Sequence, residues 1–277
     1  MKMLIKKTTD NAVVGVVTAI LIVGLIVAVV SLVQTMYIPK IMEEREADHM
    51  DKVAEQFTYL TSVIDGQAAN PTNKMPVAMS ITLGSKELPY MLSMKAFGTL
   101  EILDPGHSDR SIIITTTSSG TQTYHIGVIT YSSKNKYYLD QSYTYEAGAM
   151  IVSQSEGNLM MIRPSFSIKE NIITFDVVNI SSVGSKTIAS GYGMSPIQTK
   201  FYQISSNDTI NNVGTITITT PLSNAWSVFI KSALPGALTN TTGNILTITL
   251  PPPSYTVHIK VIDIQAQIGP GWIEQQD

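Results

Sequence analysis

The alternation of apolar and polar positions divides this chain of 277 residues into three stretches. From Ala12 to Val33 the run is apolar throughout, with Thr18 and Ser31 its only polar side chains. Twenty-two residues at about 1.5 Å each make a helix of roughly 33 Å, enough to cross a hydrocarbon layer of about 30 Å. This predicts a transmembrane helix over 12–35. Next, Met42, Ala47, Met50, Val53, Ala54, Phe57, Leu60 and Ile64 recur with a helical period, and Glu43, Glu44, Arg45, Asp48, Asp51, Lys52 and Glu55 occupy mainly the remaining surface. That spacing predicts an amphipathic helix over 36–66, stopped by Gly66 and Pro71. Pro39 lies between the two and predicts a kink or short break near Tyr37 to Lys40, because a proline loses one helical hydrogen bond and crowds the preceding turn.

From about Met75 the period becomes two. Segments such as "SIIITTT", "IITFDVVNI", "VGTITITT" and "YTVHIKVIDIQ" are β-branched and separated by Gly, Pro, Asn and Ser clusters. They predict an all-β head over 75–277, built of antiparallel sheets packed as a sandwich, with no further helix. The fold class expected is α+β: a long N-terminal helix followed by a β-sandwich-like head. The small-residue stretch Ser181 to Gln198 reads either as a boundary between two β subdomains or as one long loop of a single head.

Charge adds direction. Lys2, Lys6 and Lys7 make residues 1–11 a basic leader, and the positive-inside bias then places the N-terminus in the cytoplasm and the head outside the cell membrane. The apolar run is longer than that of a secretory signal and leads into "SLVQTMYIPK", which has no small-x-small cleavage site, so the helix is expected to be retained. Charged residues make up 14% of the chain and the net charge is −3, which argues against nucleic acid as a partner. There are no cysteines, so an exported head has to be held by an ordinary core.

Candidate chemistry is sparse. His49, His107, His125 and His258 are scattered, with no paired-ligand spacing. Gly191 to Pro196, "GYGMSP", lacks the glycine spacing of a dinucleotide fingerprint. Asp104 and Asp109 flank a turn that would hold calcium only if their carboxylates converged; the alternative is a solvated hairpin turn. No catalytic residue, metal ligand or cofactor is assigned, and the expectation is that the chain is not an enzyme. Asn179, Asn207 and Asn240 head Asn-x-Ser/Thr triplets and are candidate glycan acceptors in an exported head. Within the span, Gly15 and Ala19 fall on one side of the helix and Gly24 and Ala28 on the other, two faces that permit close helix packing.

The segment "KKTTDNAVVGVVTAILIVGLIVAVV" resembles the N-terminus of archaeal type IV pilins and flagellin-like proteins. "YYLDQSYTYEAGAMIVSQSEGNLMMIRPSF", Tyr137 to Phe166, is similar to a recurrent segment of archaeal pilin-like surface proteins. The resemblance implies cleavage by a prepilin peptidase, placed here at Asp10, Asn11 and Ala12, and a retained helix that anchors the subunit and then forms a filament core. It differs from many bacterial pilins in lacking an acidic residue five positions after the cut.

Two expectations for function follow. The first is a pilin-like, membrane-anchored cell-surface protein, a structural subunit or minor component of a type IV pilus-like filament. Its partners would be the lipid bilayer, sister or other pilin-like subunits and the peptidase, and its Thr/Ser-rich head would serve adhesion. The second is a non-polymerising single-pass surface protein whose β ectodomain binds a ligand or glycan.

Overall fold

A computed structural model describes residues 9–85 and 96–270, with side chains from Val13 onward. The start of the basic leader, 1–8, lies outside the described residues. Asp10, Asn11 and Ala12 are described only as helical backbone.

The N-terminal helix is a single rod in three parts. α1 (Thr9–Leu32) passes through a π-helical turn, Val33–Tyr37, into α2 (Ile38–Ala69). Of the kink or short break expected near Tyr37 to Lys40, the break does not occur. Instead the turn before Pro39 widens, and the Ile38 N–H bonds the Val33 carbonyl five residues back. Pro39 follows directly in the first turn of α2, and the wide turn before it accommodates the proline without severing the helix. The helix also runs on to Ala69, past the stop expected at Gly66, and ends where the Asn70 N–H bonds the Gly66 carbonyl.

Among the described residues the rest is mostly strand, in two sheets. One sheet is built on two long strands, β12 (Met194–Thr219) and β15 (Tyr255–Ile268), paired antiparallel, with β10 (Ile172–Ser182) on the far side of β15. β1 (Val77–Thr82), β3 (Ser111–Thr116) and β14 (Ile245–Thr249) pair with β12. The other sheet has the order β11 (Ile188–Gly191), β2 (Phe97–Leu103), β5 (Val128–Lys134), β6 (Gln141–Glu146), β7 (Ala149–Gln154) and β8 (Gly157–Ile162). Two expectations are corrected here. β10 and β15 are parallel from Ile172/Thr256 to Ser182/Ala266, so the first sheet is mixed rather than antiparallel. A third helix, α3 (Ser223–Ala233), interrupts the strands and buries Ala225, Trp226, Phe229 and Ile230, one face of an amphipathic turn pattern.

The head has two cores, and they divide across the long strands. In β10, Ile173, Phe175 and Val177 join a core with α3, whereas Val178 and Ile180 join a core with α2. In β15, Val257, Ile259 and Val261 face the first core and Ile262, Ile264 and Ile268 the second. Successive side chains of a strand point to opposite faces. The switch of parity at Val177/Val178 and at Val261/Ile262 therefore puts the two cores on opposite faces of one continuous sheet. The stretch 181–198 separates neither core: β11 lies within it and pairs with β2.

The two sheets meet closely where β10 passes the start of β5. A Cβ at Gly127 would lie 1.8 Å from the Ile180 carbonyl oxygen, so only glycine fits this contact. Asp104 secures the same junction, its carboxylate accepting the Ser182 N–H at 2.6 Å and the Ser182 hydroxyl at 2.7 Å.

Candidate membrane anchor and its seat in the head

α1 is apolar on every side and covered on none. From Val13 to Leu32 every residue is exposed, and the large side chains show between 48% and 68% of their surface. In water such a helix is strongly disfavoured, since each buried aliphatic side chain is worth about 1.5–3 kcal/mol. The helix is long and apolar enough to span a membrane. The Thr18 hydroxyl, one of its few polar groups, donates to the Val14 carbonyl at 2.8 Å, as a hydroxyl in hydrocarbon must. Gly15 and Gly24 open onto empty space, with nothing within 4 Å of where a Cβ would stand. Ala19 and Ala28 are equally uncovered.

α2 is the opposite. Met42, Met50, Val53, Phe57, Leu60 and Ile64 are fully buried, packed for most of that length against residues of both sheets, among them Leu100, Ile129, Tyr131 and Tyr145 on one side and Ile81, Phe201 and Ile264 on the other. Polar groups lock this seat. Glu46 is fully buried, and its carboxylate accepts the backbone N–H groups of Lys136 (3.1 Å), Tyr137 (2.7 Å) and Tyr138 (2.7 Å). Three convergent N–H groups replace the water a carboxylate loses on burial. One turn on, the Tyr131 hydroxyl donates to the Leu83 carbonyl at 2.9 Å and sits 3.0 Å from His49 Nε2, which therefore donates to the phenol oxygen. Burial pushes the His49 imidazole below its ordinary pKa, helped by nearby Lys52 and opposed by the Leu83 carbonyl and Glu46. Further along, Tyr145 donates to Asp65 at 3.0 Å, and Gln67 donates to the Thr199 carbonyl at 2.8 Å. Burial raises the Asp65 pKa, against the pull of the Tyr145 hydrogen bond.

The other buried polar cluster supports the α3 core. Glu146 accepts from Arg110 Nε (2.6 Å), the Thr220 hydroxyl (2.9 Å) and Trp226 Nε1 (2.8 Å), tying β6, the end of β12 and α3 together. Burial raises the Glu146 pKa, with Arg110 and the two neutral donors opposing it.

The remaining sequence candidates are dispersed. His107 and His125 are exposed, and His258 Nδ1 lies 2.9 Å from the Thr209 hydroxyl. Asp104 is engaged with Ser182, and Asp109 is exposed. Among the described residues no three His, Cys, Asp or Glu side chains converge on a metal position. Asn179 is a joint between sheets: its Oδ1 accepts the Gly127 N–H and its Nδ2 donates to Asp263 at 2.8 Å, the atom a glycan would need. Asn207 and Asn240 are exposed. A cleft of about 440 Å³ opens at the end of α2, with Asp65, Arg163, Asp176 and Lys260 around a floor that includes Val178 and Ile262. Lys260 and Asp176 pair across it at 2.8 Å.

Glu46 was not among the sequence candidates and His49 stood only among the scattered histidines, because both are polar. Their signal was position: Glu46 stands four residues from both Met42 and Met50, squarely on the buried stripe.

Fold and anchor together define a class: a mostly β head carried on one long N-terminal helix whose first half is long and apolar enough to span a membrane. Within it, the chain belongs to the family described as DUF7289, a family of unknown function, whose match covers residues 11–267. No curated protein and no solved structure matches the chain.

Proposed function

We propose that this protein is a pilin-like cell-surface subunit, anchored by α1 with its N-terminus in the cytoplasm and its head outside, and able to enter a type IV pilus-like filament as a structural or minor component. The observation that carries this reading is the division of one continuous helix into a bare apolar half and a half locked between two sheets. A rigid rod of this kind holds the head at a set distance from whatever covers α1, first lipid and then the helices of sister subunits. The uncovered Gly15, Ala19, Gly24 and Ala28 supply the close approach that helix packing in a filament core requires. The partners are the bilayer, further pilin-like subunits and a prepilin peptidase cutting near Asp10, Asn11 and Ala12. Neither catalysis nor a cofactor has a part in the proposal, and the Thr/Ser-rich head serves adhesion.

The test is the N-terminal sequence and intact mass of the protein from its native membranes. Loss of the residues up to about Asn11 is expected, while an intact start at Met1 or Lys2 overturns the pilin reading. The cleft with its charged rim favours a second reading, a non-polymerising single-pass surface protein that binds a ligand or glycan. Intact, unprocessed protein would select that reading.

A further inference from the structure

We infer that the cleft at the end of α2 is a binding site for a carboxylate-bearing glycan, a chain that contains hexuronic acid; the inference rests on the ligand-binding reading of the cleft and on a head outside the cell, not on whether the subunit polymerises. The site follows from where α2 stops. The sheet face that packs on α2 at Ile180 and Ile264 continues along β10 and β15 past Ala69, where the helix no longer covers it. Strand register then sets the floor. Val178, Ile262 and Ile204 are partners across β10, β15 and β12, one apolar row about 10 Å wide, with Ile204 44% exposed. The next row on the same face is Ser165, Asp176, Lys260 and Asn207, its first member from β9 (Ser165–Lys169). The row after that is Ser167, Thr174, His258 and Thr209. An apolar shelf therefore opens onto hydroxyl, carboxylate, ammonium and amide groups. A sugar ring has the same two characters, C–H groups on its faces and hydroxyls around its rim, and each hydroxyl both donates and accepts.

Charge narrows the class. Lys260 is paired with Asp176, and Tyr145 donates to one oxygen of Asp65, leaving the other Asp65 oxygen with no donor among the described residues. Arg163 lines the same cleft, is exposed, and has no hydrogen bond or ion pair among the described residues. A guanidinium matches a planar carboxylate with two parallel hydrogen bonds. Asp65 and Asp176 in the same cleft disfavour a doubly charged phosphate but accept from hydroxyls. A uronate ring on the apolar row meets both demands, bringing one negative charge to Arg163 and hydroxyls to the carboxylates. The volume of about 440 Å³ lies within the range of small-ligand sites.

The full-length protein, in phosphatidylcholine bilayer discs, is titrated calorimetrically with tetrasaccharides of galacturonate, glucuronate and mannuronate and with their methyl esters. At least one acid form should bind, with its ester about tenfold weaker through loss of the charge-assisted pair. Arg163→Gln should weaken that acid by about tenfold and leave its ester unchanged. Lys231→Gln, an exposed position on α3, should change neither. No binding by any of the three acids, or an acid affinity that Arg163→Gln does not lower, overturns the glycan site and leaves the anchor and filament readings standing. External protease that fails to reach the head on intact cells overturns the outside placement, and with it a glycan's access to the cleft.

Discussion

α1 and α2 are the same secondary structure in one unbroken rod, yet they solve opposite problems. From Val13 to Leu32 α1 buries nothing within the chain, and nearly all its side chains there are apolar. α2 buries one stripe and admits Glu46 and His49 onto it because the head supplies three N–H donors to the Glu46 carboxylate and the Tyr131 hydroxyl to His49 Nε2. The contrast shows that what distinguishes a membrane helix from a core helix is not its propensity. A core helix can carry a buried carboxylate if backbone N–H groups converge on it, whereas a helix facing hydrocarbon has no such partners.

The largest effect expected comes from making α1 resemble α2. Leu21→Arg with Leu25→Arg costs about 2.5–3.5 kcal/mol per arginine at the centre of a span. Fractionation should move the protein out of the membrane, while the thermal melt of the head stays where it was. A shift in that melt would mean that α1 does pack on the head. Next is the seat of α2. Phe57→Ala should lower head stability by about 3–5 kcal/mol. Glu46→Ala should lower it by about 1–3 kcal/mol through the N–H groups left without an acceptor. Denaturant unfolding of the reconstituted protein measures both, and membrane partitioning should not change for either.

The smallest effect is a pH dependence at His49. Its folded pKa lies below the unfolded value of about 6.5, so above that pH neither state carries the proton and the seat is intact. As pH falls, the unfolded chain takes up a proton that the folded one resists, and stability is lost down to the folded pKa. His49→Gln should flatten the stability slope below about pH 6.5; an unchanged slope would assign that acid sensitivity elsewhere.

The N-terminal rod was legible almost residue by residue. An unbroken apolar run and a stripe of period 3.6 are properties of neighbouring residues, and the stripe read from Met42 to Ile64 is the one that is buried. The exception was the joint: Pro39 predicts a kink or short break near Tyr37 to Lys40, and the chain responds with a wider turn at Val33–Tyr37. In the head the strands were visible but α3 was not. Its Trp226, Val228, Phe229 and Ile230 are β-favouring residues, and Val228 is 67% exposed, so the helical stripe is short and partly masked. The buried polar seats were harder still, since Glu46 draws its three donors from a loop ninety residues away.

Length, hydropathy and period are set along the chain itself, and they suffice to specify a helix long and apolar enough to span a membrane, an amphipathic continuation and a strand-rich remainder. Strand partners and the core served by each face are not local properties. The parallel pairing of β10 with β15 and the change of face at Val177/Val178 follow from which distant segments fill each side of the sheet. A period of two says only that a strand has two faces; three-dimensional packing assigns one end of this sheet to α3 and the other to α2.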